Sequence, residues 1–283
     1  MEVTTVGTQS FTVLITGTVL AFILPLAVAL IWKIRKKERF TTILVGAATF
    51  LLFALILEKP IQALVISVDH PVKRFLDAYP VIWALVVALF PGVFEETGRL
   101  CAFRTVLKNR KNRETSISYG IGHGCFEVMI ILGSSFITYI VYAIMINTGT
   151  FHTVVDQVAI QAPDQVDTLY ALADQIAAFT VADLIPSFAE RVFAVMFHIG
   201  ASILVFYACS YRKYFCLYPL AIALHTILDF IAALTLVKVI EVSAWVLEGY
   251  VALFGIGTFL GAYLLLYRTG TEDHLRESDL IQP

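Results

Sequence analysis

The chain alternates long apolar stretches with short polar segments. A helix needs roughly 20 apolar residues to cross about 30 Å of hydrocarbon, and about seven stretches approach or exceed this length. They lie near residues 10–32, 40–58, 80–107, 116–147, 187–210, 215–237 and 244–267. The pattern predicts an all-α fold, a polytopic membrane bundle of about seven transmembrane helices. Because no internal repeat interrupts it, we expect residues 1–283 to form a single membrane domain.

The composition agrees with a membrane protein. Hydrophobic residues make up 59% of the chain, charged residues 15%, and the mean hydropathy is +0.82, whereas soluble proteins carry about 25% charged residues. A net charge of −2 provides no basic field that would attract nucleic acid. We therefore expect the lipid bilayer as a partner and no nucleic acid.

The distribution of lysine and arginine predicts the orientation. These residues cluster after the first, third and fifth spans, and short loops rich in them stay in the cytoplasm. Neither residue occurs between Glu114 and Glu190, a region that contains the acidic loop after the fourth span. Seven spans then place the N-terminus outside and a charged tail, residues 269–283, in the cytoplasm.

The long outward loop, about residues 148–185, is less polar than a flexible linker. Apolar residues recur in it at helical spacing, which predicts an interfacial helix. These residues are Val166, Leu169, Tyr170, Ala173, Ile176 and Ala177.

Four groups of ionisable residues interrupt the apolar spans. A charge in the hydrocarbon costs at least roughly 2.5–3.5 kcal/mol, so such residues mark pairs or working sites. At 1.5 Å per residue the principal carboxylates and imidazoles fall roughly 10–18 Å from the cytoplasmic boundary, which allows them to line one cavity. The groups are Glu95 with Glu96 and Arg99, His123 with Glu127, Arg191 with His198, and His225 with Asp229.

The first group combines two adjacent carboxylates with one cation. Arg99 follows Glu95 by four residues and shares its helix face, while Glu96 points about 100° away. One carboxylate can pair with Arg99 while the other activates water. The alternative is a structural ion pair that stabilises a kink at Pro91-Gly92.

The imidazoles provide candidate metal ligands. His123 and Glu127 have the i, i+4 spacing of helical zinc sites, and His198 and His225 add further nitrogen donors. Asp229 follows His225 by four residues, the spacing at which a carboxylate fixes an imidazole tautomer. The alternative for each is an ordinary interhelical hydrogen bond.

Two neighbouring features stay open at the level of sequence. Gly122 and Gly124 beside His123 leave room for a ligand, a substrate backbone or a close helix contact. Glu190 is interpreted as a side chain that extends to the outer boundary, while the role of Arg191 is left open.

The order of these motifs resembles that of the intramembrane proteases that include the CAAX prenyl protease and bacteriocin-processing enzymes and the PrsW proteases, and in particular the bacterial YhfC family. The matching motifs cover spans 3 to 6, an expected active-site core of about residues 80–237. They are Glu95-Glu96-x-x-Arg99, Gly122-His123-Gly124-x-x-Glu127, Glu190-Arg191 with His198, and His225-x-x-x-Asp229. The CAAX-type pattern spaces its arginine one residue farther and ends its second motif in histidine, so CAAX specificity is not carried over.

The resemblance implies a helical peptidase in which Glu95 activates water, with Glu96 as its companion and Arg99 as counter-ion. His123, His198 and His225 would surround the scissile carbonyl and either bind metal or stabilise the oxyanion.

We therefore hypothesise a multi-pass intramembrane protease of the bacterial inner membrane that cuts a membrane-bound or membrane-proximal peptide. In one version zinc is bound by ligands from His123, Glu127, His198 and His225, three protein ligands plus water; in the other, Glu95 acts without metal. The alternatives are a proton-coupled transporter, since chains of Asp, Glu and His also form relays, and a catalytically silent membrane scaffold.

Overall fold

A computed structural model describes residues 5–36 and 38–269 of the chain. Apart from Thr269, the predicted cytoplasmic tail lies outside the described residues. Within the described ranges, seven helices are long and apolar enough to cross a membrane, which confirms the predicted all-α membrane bundle. They are Thr8–Lys36, Phe40–Ile66, Pro80–Arg104, Glu114–Asn147, Val181–Ser210, Arg212–Leu236 and Ala244–Tyr267.

The α-helices are labelled in chain order. They are α1 (Thr8–Lys36), α2 (Phe40–Phe50), α3 (Lys59–Ser67), α4 (Pro71–Ala78), α5 (Pro80–Arg104), α6 (Glu114–Asn147), α7 (Phe151–Gln161), α8 (Val166–Ala177), α9 (Val181–Ser210), α10 (Leu217–Leu236) and α11 (Ala244–Ala262). Two π-helical segments, Leu51–Glu58 and Tyr263–Tyr267, continue α2 and α11.

The second span is longer than predicted. The sequence pattern ends this span at residue 58, where Glu58 and Lys59 follow the apolar run. In the structure, the π-helical segment Leu51–Glu58 leads directly into α3. The helix continues because Glu58 is buried and its carboxylate pairs with the ammonium of Lys59 at 2.9 Å. A paired charge is therefore tolerated inside the span.

The loop between the fourth and fifth spans contains two short helices. The predicted interfacial helix corresponds to α8, and α7 precedes it. The two are joined by a 3₁₀ turn at Pro163–Gln165.

The described residues fall into two compact units. One comprises residues 5–26 and 128–188, and the other comprises residues 27–36, 38–127 and 189–269. All candidate site residues belong to the second unit. The expectation that residues 1–283 form a single domain stays a prediction.

Glycines set the helix spacing around the candidate site. A Cβ on Gly92 of α5 would lie 2.6 Å from Oγ1 of Thr226 on α10, so these two helices pack in direct contact. A Cβ on Gly122 would lie 2.0 Å from the carbonyl oxygen of Ile43, and one on Gly124 would lie 3.1 Å from Cα of Val195. Of the uses left open for Gly122 and Gly124, the structure shows close helix contacts, which bring α2 and α9 against α6 beside His123.

Candidate active site

The two adjacent glutamates of α5 have different partners. Arg99 forms a buried ion pair with Glu96, whereas Oε2 of Glu95 lies 2.9 Å from Nε2 of His123. The four-residue spacing predicts that Arg99 pairs with Glu95, but its ion-pair partner is Glu96. This is possible because residues three apart are also neighbours on a helix. One carboxylate, that of Glu96, is paired with the guanidinium, and whether the other activates water stays a prediction.

One oxygen of Glu95 lies among three imidazole rings. Its Oε2 is 2.9 Å from Nε2 of His123, 4.0 Å from Nδ1 of His198 and 4.0 Å from Nε2 of His225. These rings come from α6, α9 and α10, and all four side chains are buried. The tertiary structure thus collects the predicted base and the three predicted imidazoles at one place.

The contacts of His198 define which ring nitrogen carries its hydrogen. Nη2 of Arg99 lies 3.1 Å from Nδ1 of His198, and because a guanidinium only donates, Nδ1 must accept. Nε2 of the ring lies 2.5 Å from Oε2 of Glu127, a buried ion-pair contact. The other oxygen of Glu127 accepts from Arg191 at 3.1 Å. Arg191, whose role the sequence leaves open, therefore holds a site carboxylate.

Glu190 has a different place from Arg191. It forms an ion pair with Arg191, and its side chain is about one-third exposed. The interpretation that Glu190 extends to the outer boundary stays a prediction.

His225 is held by Glu96. Its Nδ1 lies 2.9 Å from Oε1 of Glu96, and a carboxylate paired with Arg99 accepts from the ring N–H. Nε2 of the same ring lies 4.0 Å from Oε2 of Glu95. Asp229 lies on this same side, with Oδ2 3.6 Å from Nε2, beyond hydrogen-bonding distance. Glu96 thus occupies the tautomer-fixing position that the spacing predicts for Asp229, because tertiary packing brings α5 against α10.

The donor set is compatible with a metal ion. One donor atom from each of Glu95, His123, Glu127 and His198 lies within 4.8 Å of the others, and all four residues are buried. Nδ1 of His123 is buried and has no hydrogen-bond partner among the described residues. Imidazole nitrogen and carboxylate oxygen are ligands that zinc accepts. The group contains Glu95 rather than His225, whose Nδ1 is occupied by Glu96.

Sequence reasoning missed Glu58. This carboxylate is fully buried and pairs with the ammonium of Lys59. Its Oε2 is buried and has no hydrogen-bond partner among the described residues. The sequence does show Glu58 as a lone glutamate at the end of an apolar run. A charge in that position is normally interpreted as the boundary of a span, so Glu58 was not considered as a site residue.

Buried carboxylates and imidazoles from several transmembrane helices define a polytopic membrane protein with a polar site inside the bundle. Such residues are costly in a membrane and mark functional sites. The chain belongs to the YhfC intramembrane metalloprotease family, whose model matches residues 20–251.

A relative in Bacillus subtilis (strain 168) supports the assignment. It is described as uncharacterized membrane protein YhfC and is 31% identical over 226 residues, which cover 80% of this chain and 84% of the relative. No solved structure gives a significant match.

Proposed function

We propose that the chain is an intramembrane endopeptidase of the bacterial inner membrane, with its N-terminus outside and its C-terminus in the cytoplasm. The observation that carries the proposal is the position of Glu95, a buried carboxylate whose Oε2 lies within 4.0 Å of ring nitrogens of three histidines. Membership of the metalloprotease family supports the same activity. The substrate class is a membrane-bound or membrane-proximal peptide.

Glu95 is proposed as the general base. Arg99 pairs with Glu96, so among the described residues the carboxylate of Glu95 contacts imidazoles and forms no ion pair with a guanidinium. We propose that this carboxylate also accepts a hydrogen bond from the attacking water molecule. Oε2 takes a proton from the water while the water oxygen bonds to the scissile carbonyl carbon. When the C–N bond breaks, Glu95 returns this proton to the leaving nitrogen.

The remaining groups fix the imidazoles. Glu96 holds Nδ1 of His225, and Arg99 and Glu127 hold the two nitrogens of His198. In the version without metal, an imidazole N–H stabilises the carbonyl oxygen as it gains negative charge. Asp229 supports His225 from the Nε2 side.

In the metal version, three protein ligands from His123, Glu127, His198 and His225 would hold zinc beside Glu95. When bound, the ion would polarise the scissile carbonyl and lower the pKa of a bound water. The buried donor group supports this version for His123, Glu127 and His198, which belong to it together with Glu95.

The test compares membranes from cells that express the wild type, Glu95→Gln or Glu114→Gln. Glu114 lies at the start of α6, outside the cluster, and serves as the matched substitution. Newly formed protein N-termini are labelled chemically and identified by mass spectrometry. We expect termini that require the wild-type chain, persist with Glu114→Gln and disappear with Glu95→Gln, because general-base catalysis contributes about 10²–10⁴-fold.

Two results would contradict the proposal. Chain-dependent termini that persist in a folded Glu95→Gln variant would contradict the role of Glu95. If the wild type produces no such termini, the peptidase proposal fails and the transporter or scaffold becomes the working hypothesis.

A further inference from the structure

The exposure of the site residues changes systematically along the helices that carry them. On α10, the side chain of Asp229 is 36% exposed, whereas that of His225, one turn earlier, is 5% exposed. On α9, the side chain of Glu190 is 34% exposed, whereas that of His198, two turns later, is 4% exposed. These helices run in opposite directions, so both gradients point to the same end of the bundle.

The other two helices show the same direction with smaller differences. On α5, Glu95 is more exposed than Arg99, which is fully buried and lies one turn closer to the cytoplasmic end. On α6, Glu127 is more exposed than His123, again with the buried residue closer to the cytoplasmic end. In the orientation proposed above, exposure therefore rises outward on all four helices.

The cytoplasmic side of the site is closed by aromatic packing. The rings of Phe103 and Tyr119 lie 4.8 Å apart, and those of Phe103 and Phe206 lie 5.4 Å apart. All three side chains are buried in an apolar cluster that also contains Leu107 and Ile203. The guanidinium of Arg99 lies 5.9 Å from the Tyr119 ring, so this layer begins directly below the buried ion pair.

The exposed carboxylates indicate an aqueous route. Asp229 lies in the middle part of α10, and an aspartate facing hydrocarbon at this depth is strongly disfavoured. Ionisable residues at such positions line water-filled cavities or pair with one another. The carboxylate of Asp229 lies 3.6 Å from His225, which itself faces Glu95, so the route that exposes Asp229 leads to the site.

From these gradients we propose that the site admits water and substrate from the outward side of the membrane, past Asp229 and Glu190. The peptide bond that is cut then belongs to a stretch of the substrate that reaches the site from the outward side of the membrane. This inference rests on the proposed endopeptidase function and orientation, and it narrows the substrate class to membrane proteins with an accessible outward segment.

Cysteine labelling tests the route independently of proteolysis. Glu190→Cys is treated in intact spheroplasts with a membrane-impermeant maleimide, which reacts with thiolates in contact with water. The matched control is Val192→Cys, at nearly the same depth on α9, because Val192 is an exposed apolar residue. A second pair, Asp229→Cys and Ile227→Cys on α10, repeats the comparison, and size-exclusion chromatography checks folding.

The native cysteines report the orientation. Cys216 is exposed and follows the basic segment before α10, on the side predicted to be cytoplasmic. The wild type should therefore remain unlabelled in intact spheroplasts and become labelled after lysis. Labelling of Cys216 in intact spheroplasts would reverse the orientation and overturn the outward route.

We expect Glu190→Cys and Asp229→Cys to be labelled in intact spheroplasts. The control variants Val192→Cys and Ile227→Cys should not be labelled there. The label is assigned to the introduced cysteine by peptide mass spectrometry, because native Cys216 is also labelled after lysis. Three results would overturn the proposal: label at position 190 only after lysis, no label at position 190 under either condition, or equal label at position 192 in Val192→Cys.

The positions of the cleavage products separate this proposal from the peptidase function. Chain-dependent termini are expected in outward segments of their parent proteins, and termini in cytoplasmic segments would overturn the route. If no chain-dependent termini exist, the peptidase function fails, whereas the labelling pattern still decides whether water reaches the site from outside.

Discussion

Nη2 of Arg99 lies 3.1 Å from Nδ1 of His198, and the same guanidinium forms a buried ion pair with Glu96. One side chain of α5 thereby orients a ring of α9 directly and, through Glu96, a ring of α10. The arrangement makes Arg99 the central cation of the candidate site.

Replacement of Arg99 by methionine should destabilise the protein strongly. The substitution leaves Glu96 buried without its cation, and removal of one member of a buried pair costs about 3–5 kcal/mol. Thermal unfolding in detergent measures the loss, with Arg104→Met at the exposed end of α5 as the control. The double variant Glu96→Gln/Arg99→Met should recover part of the stability; an Arg99→Met protein as stable as the wild type would contradict the interpretation of the pair.

Glu96 should matter for activity more than Asp229 does. Glu96→Gln removes the carboxylate that accepts from Nδ1 of His225 at 2.9 Å, whereas Oδ2 of Asp229 lies 3.6 Å from that ring. Loss of a group that orients a ligand typically lowers metal affinity or activity 10–100-fold. The test is the rate at which chain-dependent N-termini form in each variant. A larger loss with Asp229→Asn would assign the tautomer-fixing role to Asp229 instead.

The metal version predicts about one zinc ion per chain. Mass spectrometry of detergent-purified protein, prepared without chelator, should find zinc in the wild type and in His70→Ala and none in His123→Ala. His70 is the control because it contacts the backbone of Leu64, away from the metal-compatible group. Metal present at 100 times its dissociation constant stabilises the fold by about 2.7 kcal/mol, so a chelator should also lower the unfolding temperature. Zinc retained in His123→Ala would exclude His123 as an essential ligand.

Gly92 should tolerate no side chain. A Cβ there would lie 2.6 Å from Oγ1 of Thr226 and 3.0 Å from the carbonyl oxygen of Ile222, so Gly92→Ala must separate α5 from α10. Overpacking of this kind costs about 1–3 kcal/mol. Gly257→Ala meets no atom within 4 Å and should stay within about 0.5 kcal/mol of the wild type, since surface substitutions usually do. Equal thermal stability of the two variants would contradict the close contact.

Glu58 and Lys59 should show coupled effects on stability. Lys59→Met leaves the buried Glu58 carboxylate without its 2.9 Å ammonium partner. Because the Lys59 side chain is more than half exposed, we expect a loss below the roughly 3–5 kcal/mol of a fully buried pair. Adding Glu58→Gln to the Lys59→Met chain should restore part of the lost stability, because the buried charge is then removed. Additive effects of the two substitutions, measured in a double-mutant cycle, would show that the side chains do not interact.

The sequence by itself determined the membrane class, the approximate positions of the spans and the helices that carry the ionisable groups. These follow from local properties, because an apolar run of about 20 residues and the 3.6-residue helical period are visible in the chain. Ionisable residues that interrupt an apolar run could be identified as candidate site residues in this way. They include Glu95, His123, His198 and His225. Glu58 escaped selection because a charge at the end of such a run resembles a span boundary.

Only the tertiary structure decided which side chains meet. Helical spacing allows Arg99 to reach either Glu95 or Glu96, and the choice depends on His123 and His225, which come from other helices. His225 likewise has Glu96 on α5 as its partner at 2.9 Å, while Asp229, four residues away in sequence, lies 3.6 Å from the same ring. Such contacts depend on how closely helices pack, which Gly92 permits between α5 and α10. A pattern along one helix contains no information about that distance.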